Sequence, residues 1–143
     1  MSVNTDAVNQ VYEIFSKGNL DEFDSFVADD FIEHEDLMGM PMNREGVKQF
    51  FVILRSAFPD FSMRATHMVE EGDLLAARFE AHGTQTGEFA GVAPSGRSFT
   101  VSGFDLLRMS DGRTREHWGS FDAIAMCQQL GIDPAQLMSH HPG

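Results

Sequence analysis

The sequence has one cysteine and only 10 lysines and arginines against 22 aspartates and glutamates, and each scarcity closes off a class of function, while one tryptophan and one tyrosine leave its aromatic content almost wholly to phenylalanine. A single thiol, Cys127, cannot form an intramolecular disulfide. Its neighbours Met126 and Leu130 mark an apolar helix face, and no base adjoins it to make a nucleophile. The shortage of cations leaves a formal charge of -12 and a pI near 4.7, a field that repels phosphate backbones, so nucleic acid is excluded as an expected partner. No apolar run reaches the roughly 18 residues that a bilayer-spanning helix requires, and no membrane partner is expected. The opening MSVNTDAVNQ lacks the basic and apolar blocks of a secretory leader, so a soluble cytoplasmic protein is expected. Repeats, low-complexity segments and linkers are also missing. The glycine-rich stretch GTQTGEFAGVAPSGRS has neither P-loop nor dinucleotide spacing, and no G-x-S-x-G elbow occurs elsewhere.

What is present is apolar and aromatic. Hydrophobic residues make up 42% of 143 positions, 13 of them Phe, which implies one folded domain spanning residues 1–143 with an aromatic-rich core. Thr5 or Asp6 can cap a first helix carrying Val8, Val11, Tyr12, Ile14 and Phe15 at helical spacing, with Gly18 as its stop. A short helix is expected over 20–27, then a loop through EHEDLMGMP, then a long helix capped by Asn43 and ended before Pro59. From Phe61 the period changes to two, predicting strands at 62–69, 74–83, 98–109 and 113–121. A last helix runs from Asp122 to Leu130 with Gly131 as its stop, and the tail MSHHPG is expected to fray. Helices first and a curved antiparallel sheet afterwards make an α+β cone whose helices close one end over a pocket.

The candidate chemistry concentrates in TREHWGSFD. Simple alternation puts Thr114, Glu116, Trp118, Ser120 and Asp122 on one face, mixed polar and aromatic as a pocket wall would be. Asp122 is either the N-cap of the last helix or a carboxylate that takes a proton from carbon next to a carbonyl. His117 lies on the opposite face unless a bulge near Gly119 swaps the parity, and it is the second catalytic candidate. In Glu33-His34-Glu35-Asp36 no second His completes a metal site, so the segment reads as a solvated acidic loop with His34 at a cavity rim. Arg78, Glu80 and His82 share one strand face, opposite Leu75, Ala77, Phe79 and Ala81, and that polar face meets either solvent or the cavity. Asp105, among Phe104, Leu106 and Leu107, needs a partner such as Arg or His, or else a raised pKa.

GTQTGEFAGVAPSGRSF, DGRTREHW and Asp122 leading into QQLG together resemble the SnoaL-like polyketide cyclases, within the NTF2-like superfamily, over nearly the whole chain. The resemblance implies cofactor-independent aldol closure of a polyketide-like β-dicarbonyl methyl ester, with an acidic residue at Asp122 as general acid/base. It implies no metal and no organic cofactor, and pairing into a homodimer or homotetramer through the sheet. His34, Arg78, His82, Asp105 and Trp118 would then bind substrate, with His117 assisting Asp122. Where the family loop reads GTHTGEF this chain has Gln85, which removes a loop histidine. An isomerase or hydrolase using the same pocket, and a non-catalytic small-ligand-binding protein, are the alternatives that the letters leave open.

Overall fold

The structure, a computed structural model, describes residues 2–139. The last four residues of the tail expected to fray lie outside the described residues. Helix α1 (Val3–Lys17) starts one turn earlier than the sequence suggested, because Ser2 and Thr5 form a capping box, and it stops at left-handed Gly18. A 3-10 turn (Leu20–Ser25) leads into strand β1 (Val27–Glu33), which the sequence reading merged into helix and loop. Helix α2 (Arg44–Ala57) begins on Asn43, whose side chain accepts from the amide of Gly46 as expected. A Cβ on Gly46 would stand 1.7 Å from the Pro41 carbonyl oxygen, so only glycine lets the preceding loop lie against this helix.

Strands β2 (Ser62–Glu71), β3 (Leu74–Thr84), β4 (Ser98–Ser110) and β5 (Arg113–Phe121) fall close to their expected positions. Helices α3 (Ala123–Leu130) and α4 (Pro134–Ser139) follow, the latter unforeseen. The five strands order as β1-β5-β4-β3-β2, antiparallel except for the parallel β1/β5 pair. The parallel pair is what the missed strand contributes, and it brings the loop after β1 beside β5.

On the inner face Leu75, Ala77, Phe79 and Ala81 of β3 and Phe99, Val101 and Leu107 of β4 are buried, with α1 packed on β2, α2 on β1 and α3 on β4. The helices meet through Phe15 and Phe51, stacked 3.6 Å apart between ring centroids. Gln85 is wholly buried and holds the glycine-rich loop: its amide donates to the Val92 and Ala93 carbonyls and its oxygen accepts from Ser95. Gln85 is therefore a loop brace. None of the described helices is long and apolar enough to cross a membrane.

Candidate active site

Between α1, α2 and the inner sheet face lies a cavity of about 390 Å³. Phe15, Phe51, Phe61, Phe79 and Phe99 are among its walls, and Tyr12, Glu33, Glu35, Asp105 and His117 line it too, Tyr12 lying edge-on to Phe79. A cavity with apolar walls and convergent ionisable groups is the usual form of a small-molecule site.

A bulge in β5 decides which side chains reach it. Arg108 pairs with Glu116 and Met109 with Thr114, so Arg115 is the extra residue and Thr114 and His117 both point inward. The parity is thus reset four residues before Gly119, where the sequence reading had sought it. The expected pocket wall of Glu116 and Trp118 is corrected to the outer face. There Trp118 stacks on His34 at 4.8 Å and Glu116 receives His34 Nε2 at 2.8 Å and Arg108 Nε at 3.1 Å.

Register then builds the cluster. Asp105 of β4 faces Gly119 of β5, and with no side chain at 119 the His117 ring swings across to Asp105, its Nε2 standing 2.6 Å from Oδ1. The parallel pairing sets Glu33 beside His117, and Nδ1 lies 2.5 Å from Glu33 Oε1. Tyr12 reaches in from α1 and donates its hydroxyl to Asp105 Oδ2 at 2.5 Å. Glu33 Oε1 also accepts the backbone amides of His34 and Glu35.

The electrostatics follow from this geometry. Burial alone would push the His117 imidazole down, but its hydrogen bonds to Asp105 and Glu33, and their charges, hold it up at about 10. It is an imidazolium clamped between carboxylates at neutral pH. Burial, then the nearby Asp105, raises the Tyr12 phenol, which therefore stays a donor. Burial also lifts Glu35, His117 opposes, Asp105 and Glu33 add to the rise, and the carboxyl settles at about 7. One ligand atom each of Glu33, Glu35 and His117 lie within 4.8 Å of one another, a grouping of a size to hold a cation. Both ring nitrogens of His117 already face carboxylates and the ring carries its proton, so metal binding would first have to strip it.

Of the residues singled out by sequence, Asp105 and His117 meet in the cavity, and the partner a buried Asp105 required is His117. Arg78 lies on the outer face and donates to Thr66, and His82 contacts Thr100 there. His34 and Trp118 cover one another outside. Asp122 is exposed and accepts the amide of Ala125 at 3.0 Å as the α3 cap, while Phe121 and Ala123 on either side line the cavity. Asp122→Ala is expected to lower stability by about 1 kcal/mol through the lost cap and Asp122→Asn to stay near the parent, measured by urea denaturation. Tyr12, Glu33 and Glu35 were missed. A count by twos from Phe31 through Glu33 to Glu35 would have continued an inward strand face, but the acidic run read as solvated loop.

A sequence profile of the SnoaL-like polyketide cyclases matches residues 5–130. Aklanonic acid methyl ester cyclase DnrD of Streptomyces peucetius is 25% identical over 134 residues, covering 92% of each chain. Nogalonic acid methyl ester cyclase of Streptomyces nogalater is 25% identical over 122 residues, 84% of this chain and 90% of its own. Among solved structures, wild-type IdmH of Streptomyces antibioticus superposes with a TM-score of 0.79 at 34% identity, covering 90% of this chain and 99% of that one. TsrD of Streptomyces laurentii shares the fold at a TM-score of 0.83 and 24% identity, covering 92% and 96%.

Proposed function

The chain belongs to the SnoaL-like polyketide cyclase family, and from that premise we propose that it closes a ring within a polyketide-like β-dicarbonyl ester by an intramolecular aldol reaction, using general acid/base catalysis alone. The carbon between two carbonyls loses a proton to the protein, the resulting enolate carbon attacks a second carbonyl of the same molecule, and the new alkoxide takes a proton back. One C–C bond forms, the proton ends on oxygen, and the molecular formula is unchanged. The enolate is delocalised over the substrate's own carbonyls, so the protein has to orient a chain and move one proton.

The observation that carries this reading is the lining of the cavity: phenylalanines of the right character to fold an apolar chain, with the hydrogen-bonded group of Tyr12, Glu33, Asp105 and His117, and Glu35 beside it, opening into the same space. Relatives named as methyl ester cyclases support an ester substrate. The test is incubation with a linear β-keto ester bearing an internal carbonyl acceptor. An isobaric cyclic alcohol formed faster than the buffer background is expected. Binding without cyclisation, and without α-deuterium exchange in heavy water, would reduce the protein to a ligand carrier.

The same proposal includes pairing through the outer sheet face by a second copy of the chain. Phe104 and Leu106 are exposed there, 61% and 39%, next to Trp118, an apolar strip in the middle of an otherwise charged surface. Sedimentation at micromolar concentration is expected to give at least twice the 15.9 kDa chain mass, and Phe104→Lys to return the chain mass alone. A parent that sediments at the chain mass overturns the pairing.

A further inference from the structure

We infer that Glu35 is the carboxylate that exchanges a proton with the bound substrate, and that Gly119 is the positioning residue that admits it to the His117–Asp105 pair. The inference rests on the cyclase reading and names the group that reading leaves open.

An inventory of hydrogen bonds among the polar groups lining the cavity singles out Glu35. Asp105 has both oxygens engaged, one by His117 Nε2 and one by the Tyr12 hydroxyl. His117 has both nitrogens engaged, and Glu33 Oε1 holds His117 together with two backbone amides. Thr114 turns its hydroxyl to the sulfur of Met109, and Asp36, at the exposed rim, caps the amide of Gly39. Among the described residues the Glu35 carboxyl lines the cavity and has no side-chain hydrogen bond. A group already locked by strong hydrogen bonds is a poor proton carrier, because each transfer must break one of them. A free carboxyl facing the substrate has no such penalty.

Gly119 explains why Glu35 can be there. A Cβ at 119 would stand 2.6 Å from His117 Nε2, 2.7 Å from Asp105 Oδ1 and 2.7 Å from Glu35 Oε1, so the missing side chain is the space where the three groups converge. His117 and Asp105 are tied to each other and to Glu33 and Tyr12. A methyl group there is too close to all three, so it strains the His117–Asp105 pair and displaces Glu35, whose carboxyl no hydrogen bond holds in place. Gly119 is not in the left-handed region, so alanine meets no backbone penalty there. The groups facing Glu35 are Glu33 from β1, Asp105 from β4, His117 from β5 and, through Asp105, Tyr12 from α1. Their balance with burial leaves it half-ionised near pH 7, able both to take the carbon proton and to return it to oxygen.

The experiment measures turnover of a β-keto ester against pH, and carboxyl carbon-13 shifts of the same proteins. The parent is expected to show an acidic limb near pH 7 and one carboxyl titrating there. Glu35→Gln should cut turnover by about 10²–10⁴-fold and remove that titration, with melting no lower than the parent at pH 8. Gly119→Ala should keep the titration but move it, and the kinetic limb with it, toward ordinary carboxylate values. Turnover retained in Glu35→Gln, or a limb unmoved in both variants, overturns the inference. Turnover retained in Glu35→Gln but lost in Asp122→Asn hands the role to the helix cap. A parent with no turnover but a Glu35 titration near pH 7 defeats the cyclase reading and leaves the placement of Glu35 intact.

Discussion

His117→Leu is expected to lower the unfolding free energy by about 3–5 kcal/mol at neutral pH, one of the largest single-site effects in the chain. The imidazolium is the only cation among the described cavity-lining residues, and Glu33 and Asp105, 4% and 8% exposed, both depend on it. Removing it leaves two buried carboxylates with no counter-charge, which is the situation in which breaking a buried pair is costly. For a domain of this size the loss corresponds to a melting temperature lower by roughly 10–20 °C. The triple substitution Glu33→Gln, Asp105→Asn, His117→Leu should recover part of the loss, since neutral amides carry a smaller desolvation cost than unpaired charges. Equal melting of His117→Leu and parent would show that the carboxylates are relieved in some other way.

Stability should also fall with rising pH across an unusually wide range. His117 has a folded value of about 10 against an ordinary 6.5, so it binds its proton more tightly when folded. Its contribution is complete below pH 6.5 and is lost as pH rises through about 10, at a slope reaching about 1.4 kcal/mol per pH unit. Glu35, raised from 4.5 to about 7, acts in the same direction between those values because the unfolded chain releases that proton more readily. Asp60, Glu70 and Glu116 are lowered and act in the opposite sense at acid pH, so their contribution is lost as pH falls. The maximum of stability is therefore expected near pH 5, to be located by urea denaturation at a series of pH values. His117→Leu should flatten the curve between pH 7 and 10, and Glu35→Gln should flatten it between 4.5 and 7. A parent curve rising from pH 5 to 9 would contradict the clamped imidazolium.

Most of the architecture was legible in the letters because local chemistry set it. Asn43 and Asp122 are short acceptor side chains that cap helices wherever they precede one, and Gly18 and Gly131 occupy left-handed stops that other residues resist. Period-two alternation placed β3 and β4 because each buries every second residue on one face, and the turn signals at 71–73 and 110–112 bounded β2 and β5 beside them. β1 escaped because its pattern, VADDFIE, is broken by two adjacent acids, and because its partner is β5, some 80 residues later, joined in parallel by a pairing no local signal announces.

The candidate site depended on what alternation cannot carry. One extra residue, Arg115, exchanged the faces of β5 and sent His117 inward and Glu116 and Trp118 outward, while Asp122 remained a cap. Glu33 and Glu35 read as solvated because acidic runs usually are, and only the parallel pairing with β5 gave Glu33 its cation. The family, the helix caps, the aromatic core and the need of Asp105 for a partner came from the sequence by itself. The identity of that partner, the face each residue of β5 presents and the gap at Gly119 were decided by tertiary structure, since register and a one-residue bulge are properties of paired strands and of no strand alone.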